Sequence, residues 1–206
     1  MHVNDFLRMN GFESFEGGSD ELEIQQNDLR SLVKLPNIKR VLEIGFNTGF
    51  SSEIFLEANP DCSVLSFDLG EWKYTMAGKN YIDYKFPNRH TLIIGDSTVT
   101  VPKYINDNQN NKFDLIFIDG GHQYEIAKQD MANCYKLAKD ATVLIVDDTM
   151  FVKEGIAPWM EGPTKVWTES LESGLIEQEM NRNYKWGKGM SWGKYKIKHG
   201  PKKLVD

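Results

Sequence analysis

Five short apolar runs punctuate the chain, and each ends at a glycine or an acid: VLEIG (41–45), SVLSFD (63–68), TLIIGD (91–96), FDLIFID (113–119) and TVLIVDD (142–148). Runs of this length, rich in branched and aromatic residues, suit strands covered on both faces. The intervening segments carry apolar residues at helical spacing: Asp20–Leu35 behind a Ser-Asp cap, Phe50–Ala58, Trp72–Phe86, Thr98–Asn108 and Tyr124–Ala138. In the fourth of these, Pro102 predicts a stop in the first turn or a kink. The alternation predicts an α/β fold, a Rossmann-like doubly wound sheet of five parallel strands. A loop rich in Gly, Pro and Trp (150–163) and a helix over Thr164–Glu172 follow. Leu175–Tyr184 and Met190–Lys198 then close the sheet as an antiparallel hairpin, seven strands in all.

With 206 residues the chain reads as a single domain: a loosely held N-terminal arm (1–24), a core (25–198) and a tail (199–206). The arm has two readings, a lid over the site or a contact within a homo-oligomer. A net charge of −6 disfavours a broad grip on nucleic acid. Lys194, Lys196 and Lys198 alternate with Tyr195 and Ile197, and Lys202 and Lys203 follow. That alternation predicts the outer face of an edge strand, where lysines discourage aggregation. Cys62 and Cys134 form no C-x-x-C pair, which predicts a reduced setting without disulfides or structural zinc. The start, MHVNDFLRMNGF, is no signal peptide, and no apolar run nears the roughly 18 residues of a membrane span. The expected location is cytoplasmic.

Arg40–Ser51 (RVLEIGFNTGFS) reads as a strand breaking into a glycine turn and starting a helix. Gly45 and Gly49 permit a sharp bend, but their G-x-x-x-G spacing is not the dinucleotide G-x-G-x-x-G, which disfavours NAD. A helix start that simply needed glycines is the plain alternative. Glu43 is an acid inside an apolar run, costly unless something bonds to it. Ligands of open α/β sheets sit beyond the carboxyl ends of the strands. Asp68, Asp96, Asp119, Asp147 and Asp148 are therefore expected on the same rim as the glycine turn. Asp68, a little over twenty residues past that turn, suits ribose hydroxyls. Asp96 with Ser97 suits an adenine amine.

The ordered set VLEIGFNTG, SFDLG, IIGDS, FDLIFIDGGHQY and VLIVDDT resembles the class I S-adenosylmethionine-dependent methyltransferases over roughly residues 25–198. DGGHQYEIAKQDMANCYKLAKDATVLIVDD is similar, more narrowly, to metal-dependent small-molecule O-methyltransferases, particularly those acting on macrolide-type sugars. The resemblance implies that Glu43, Gly45, Asn47, Gly49 and Ser51 cradle the methionine end of S-adenosylmethionine. It places Asp68 at the ribose and Asp96 with Ser97 at the adenine, with Asp119 counted among cofactor-binding and catalytic residues.

An alcohol is a hard acceptor, helped by a divalent cation and by a base. By the same resemblance Asp119, Asp147 and Asp148 are the metal ligands, an all-oxygen set suited to Mg2+ or another divalent cation. His122, three residues past Asp119, stands where the sugar-directed relatives carry a proposed base and catechol-type relatives a lysine. A capping or surface histidine is its alternative. Tyr124, Trp159 and Trp167 are candidate acceptor contacts, the tryptophans equally able to pack a lid. The expected function is methyl transfer to a hydroxyl of a sugar or glycoside, with a small-molecule or glycan acceptor as partner. The rivals are a phenolic or other small-metabolite O-methyltransferase, a non-catalytic cofactor-binding module and an NAD-dependent oxidoreductase.

Overall fold

A computed structural model describes residues 1–15, 22–152 and 156–197, without the side chain of Trp186. The five runs form parallel strands: β1 (Arg40–Ile44), β2 (Ser63–Asp68), β3 (His90–Ile94), β4 (Leu115–Ile118) and β5 (Val143–Asp147). β6 (Ile176–Asn183) and β7 (Gly189–Tyr195) complete a seven-stranded sheet in the order β3-β2-β1-β4-β5-β7-β6. β7 runs antiparallel to both β5 and β6. Strand order reverses direction between β1 and β4, the switch point at which an open α/β sheet opens a crevice.

Both sheet faces are covered, as the unbroken apolar runs require. Along β4, Leu115 and Phe117 join a core with Val41, Phe55 and Ile145, whereas Ile116 and Ile118 join Leu42, Ile44, Leu144 and Val146 on the opposite face. The first core is closed by α1 (Val3–Met9), α2 (Glu23–Val33), α3 (Phe50–Ala58) and α4 (Lys73–Lys85). The second lies under α5 (Ser97–Asp107), α6 (Tyr124–Tyr135) and α7 (Pro158–Glu172). No helix among the described residues is long and apolar enough to cross a membrane.

Four expectations are corrected. Residues 3–9 are not a loose arm: Val3 and Leu7 are fully buried, and the Val3 amide donates to Glu53 Oε2 at 2.9 Å. Phe6 packs on Tyr81, whose hydroxyl donates to the Met1 carbonyl. Pro102 neither stops α5 nor confines it to one turn. A proline there removes the N–H that would reach the Thr98 carbonyl, and the Gln129 side-chain amide donates to that carbonyl instead at 3.1 Å. α7 starts at Pro158 rather than Thr164, with Pro158 in the first turn where a missing N–H costs nothing. Finally, β7 is an interior strand, so Lys194 shields no edge; it faces Glu177 of β6 at 3.8 Å. The edge on this side of the sheet is β6, whose IEQEMNRN run is itself polar. The Ser19-Asp20 cap and Lys198, Lys202 and Lys203 lie outside the described residues.

Candidate active site

The register places the site. Ile44 is level with Phe67 on one side and Ile118 on the other, so Gly45, Asp68 and Asp119 leave the sheet together. The Gly45 amide donates to the Phe67 carbonyl and the Asp119 amide to the Ile44 carbonyl, both at 2.8 Å. Gly45 has φ +93°, and a Cβ there would lie 1.9 Å from the Asp119 carbonyl oxygen. Glycine is thus demanded by the closeness of the β1 and β4 ends.

Beyond these ends opens a cleft of about 480 Å3, within the size range of small-molecule sites. Its walls include Gly45, Asn47, Asp68, Asp96, Ser97, Asp119, His122, Asp147 and Asp148, which the sequence singled out. Glu43, Gly49 and Ser51 are not among them. Glu43 is fully buried, and its carboxylate accepts from the hydroxyls of Ser51, Ser52 and Ser66 at 2.5–2.6 Å. Those hydroxyls supply the partners that an acid in an apolar strand needs. Gly49, at φ +88°, is the N-cap of α3.

Asp68 ties the glycine turn to β2. Its Oδ2 accepts from the amides of Phe46 and Asn47 at 2.9 and 2.8 Å, and its Oδ1 from Gly70 at 2.7 Å. Asp96 caps α5 through the Thr98 amide and hydroxyl at 2.8 and 2.7 Å. Both hold their loops while facing the cleft.

At the other end of the cleft, one ligand atom from each of Asp119, His122 and Asp148 lies within 4.8 Å of the others, a group in which His122 stands where Asp147 was expected, while Asp147 lines the cleft wall beside it. His122 Nε2 is 3.0 Å from Asp148 Oδ2, a bond that holds the imidazole pKa above its ordinary value. Burial, then the neighbouring charges of Asp147 and Asp148, pushes the Asp119 carboxyl well up. Burial and Asp148 raise Asp147 to about 7. Crowded carboxylates of this kind take up protons or a cation. Oxygen-rich donors match a hard divalent ion, and Asp148 Oδ1 is buried without a hydrogen-bond partner, so the residues fit one. α7 backs this corner: a Cβ on Gly162 would sit 2.0 Å from the His122 carbonyl oxygen.

The three proposed acceptor contacts are placed elsewhere. Trp167 is 0% exposed and donates Nε1–H to Gln178 at 2.7 Å, so it packs α7 and has no ring face for a sugar. Tyr124 donates to Glu169 at 2.6 Å, with Lys165 over its ring. Trp159 is 47% exposed on α7, outside the cleft walls. The walls also include Glu71, Trp72 and Lys188, which the sequence reading missed. Glu71 had a signal, an acid three residues past Asp68. Lys188 had none, since it arrives from the β6–β7 connection forty positions after Asp148.

This strand order, with a glycine turn and acids beyond β1, β2 and β4, is the fold of the class I S-adenosylmethionine-dependent methyltransferases. The chain belongs to the family described as a methyltransferase domain, which matches residues 42–149, just over half of its length. Among solved structures it is similar to the O-methyltransferase from Bacillus cereus in complex with S-adenosylhomocysteine (18% identity, TM-score 0.74, 94% of this chain and 90% of that one). It is also similar to the O-methyltransferase TomG from Streptomyces achromogenes in complex with S-adenosylmethionine (15%, TM-score 0.72, 94% and 87%). A third likeness is CalS11, a TDP-rhamnose 3'-O-methyltransferase of calicheamicin biosynthesis (18%, TM-score 0.62, 84% and 78%). By sequence, the protein y4gI of Sinorhizobium fredii is 25% identical over 165 residues. The match takes in 76% of this chain but only 17% of that relative's length.

Proposed function

We propose that the chain is an O-methyltransferase that moves the methyl group of S-adenosylmethionine to a hydroxyl of a sugar or glycoside, assisted by a divalent cation such as Mg2+. The observation that carries this reading is the convergence of Asp119, His122 and Asp148 at one end of the cleft. At its other end stand the nucleoside-facing acids Asp68 and Asp96. The sulfonium needs no activation, so the protein's work is to align the acceptor and remove its proton.

Gly45 and Asn47 line the methionine end, Asp68 faces the ribose, and Ser97 with Asp96 faces the adenine. Asp119, Asp147 and Asp148 would hold the cation, which when bound lowers the pKa of a hydroxyl placed against it. His122 takes the proton on Nδ1, the nitrogen left free when Nε2–H donates to Asp148 Oδ2 and fixes the ring. Histidine rather than lysine at this place, and the sugar-directed CalS11 among the structural likenesses, support a sugar hydroxyl over a phenol.

The test is release of S-adenosylhomocysteine with a panel of sugars, glycosides and catechols, with Mg2+ and with chelator. Turnover of a sugar that stops with EDTA and returns with Mg2+ supports the reading, and His122→Asn should lose that turnover while binding S-adenosylhomocysteine normally. Cofactor binding without turnover on any acceptor would favour a non-catalytic module. Preference for catechol would move the acceptor class.

A further inference from the structure

Gln25 is a buried polar side chain that the chemistry above does not use. It lies on α2, is 1% exposed, and donates from one nitrogen to both carboxylate oxygens of Asp147, at 2.7 and 2.9 Å. Its own carbonyl oxygen is buried without a hydrogen-bond partner. The amide orientation follows from the partners, because a carboxylate accepts and only the NH2 side of Gln25 can donate. An unsatisfied buried carbonyl is costlier than an apolar side chain packed at the same place.

α2 is well anchored to carry such a contact. Leu29, Leu32 and Val33 are buried in the core shared with α3 and β1. Asp147 gains its nearest partner from 122 positions earlier in the chain. The carboxylate cannot rotate without losing one of two bonds, so its plane is set before any ligand arrives. Residues that hydrogen-bond a metal ligand from behind change metal affinity by about 10–100-fold when removed.

We infer that Gln25 is a positioning residue, which holds the Asp147 carboxylate in the orientation that the cation site beside Asp119 and Asp148 requires. The inference rests on the metal-assisted reading above. It is tested on the full chain by Mn2+ binding, followed through the Mn2+ electron paramagnetic resonance signal, alongside S-adenosylhomocysteine affinity by calorimetry. Gln25→Met keeps the size and removes both donors. It should weaken Mn2+ binding at least about tenfold and leave S-adenosylhomocysteine affinity within about twofold.

Unchanged Mn2+ affinity in that variant, with normal cofactor binding, overturns the positioning role alone. Absence of Mn2+ binding by the wild-type protein overturns the metal reading and the positioning role together. If Gln25→Met does not fold, Gln25→Asn decides: it keeps the amide but shortens its reach. It too should weaken Mn2+ binding while leaving S-adenosylhomocysteine affinity within about twofold. Equal Mn2+ affinity of Gln25→Asn and the wild type overturns the proposal.

Discussion

Asp148 sits at φ +53°, in a region that side-chain-bearing residues seldom occupy. Successive residues of a strand point to opposite faces, so Asp147 and Asp148 could not both serve one rim if β5 simply continued. A left-handed residue directly after the strand turns the chain, and both carboxylates line the cleft. Asp tolerates this conformation better than most residues because its short polar side chain bonds locally. The strain and the chemistry can be separated by two variants that both delete the acid. Asp148→Gly should be more stable than Asp148→Ala by about 1 kcal/mol in urea unfolding, since only Gly adopts positive φ freely. Equal stabilities would show that the backbone at 148 relaxes once the carboxylate is gone.

At the scale of elements, a buried relay ties β3 to β1. The Ser66 hydroxyl on β2 donates to Glu43, so at its contact with His90 Nε2, 2.9 Å away, Ser66 is the acceptor and His90 the donor. His90 stays neutral: burial, with help from Lys79, lowers its pKa to about 3. The native pKa lies below the unfolded value of about 6.5, so the unfolded chain binds the proton first. His90 thus contributes stability that is present above about pH 6.5 and lost as pH falls from there toward 3. Between pH 7.5 and 5 the stability of wild type relative to His90→Gln should fall by about 2 kcal/mol, read from urea unfolding at each pH. A pH-independent difference would mean that His90 takes up its proton at the same pH folded and unfolded, so that burial does not keep it neutral. The same elements show what was legible in the sequence. Strand ends were readable, because burial on both faces removes polar residues until a turn or functional acid appears. The partners of Glu43 were not, because Ser52 and Ser66 are common residues whose meaning comes only from the β1–β2 register. α1 was missed because seven residues offer too little periodicity, and Trp167 because a buried and a ligand-facing tryptophan look alike in sequence.

Across the whole molecule, topology rather than local sequence sets the charge of the cleft. Its walls collect Asp68 and Glu71 from the end of β2, Asp96 from β3, Asp119 from β4 and Asp147 with Asp148 from β5. Against these, Lys188 is the only lysine or arginine among the described wall residues. It directly precedes β7, the strand that returns beside β5. Its charge draws down the pKa of both Asp119 and Asp147, opposing burial and mutual repulsion. An ammonium group and a bound cation relieve the same repulsion, so the two should compete. Lys188→Met is therefore expected to melt at lower temperature than wild type in EDTA and to gain more from added Mn2+. For a chain of this size each kcal/mol corresponds to about 2–4 °C, so the two shifts are measurable by thermal melting. A smaller Mn2+-induced shift in Lys188→Met would reverse the assignment. Lys188 would then act together with the cation, as a second positive group for an anionic part of the acceptor.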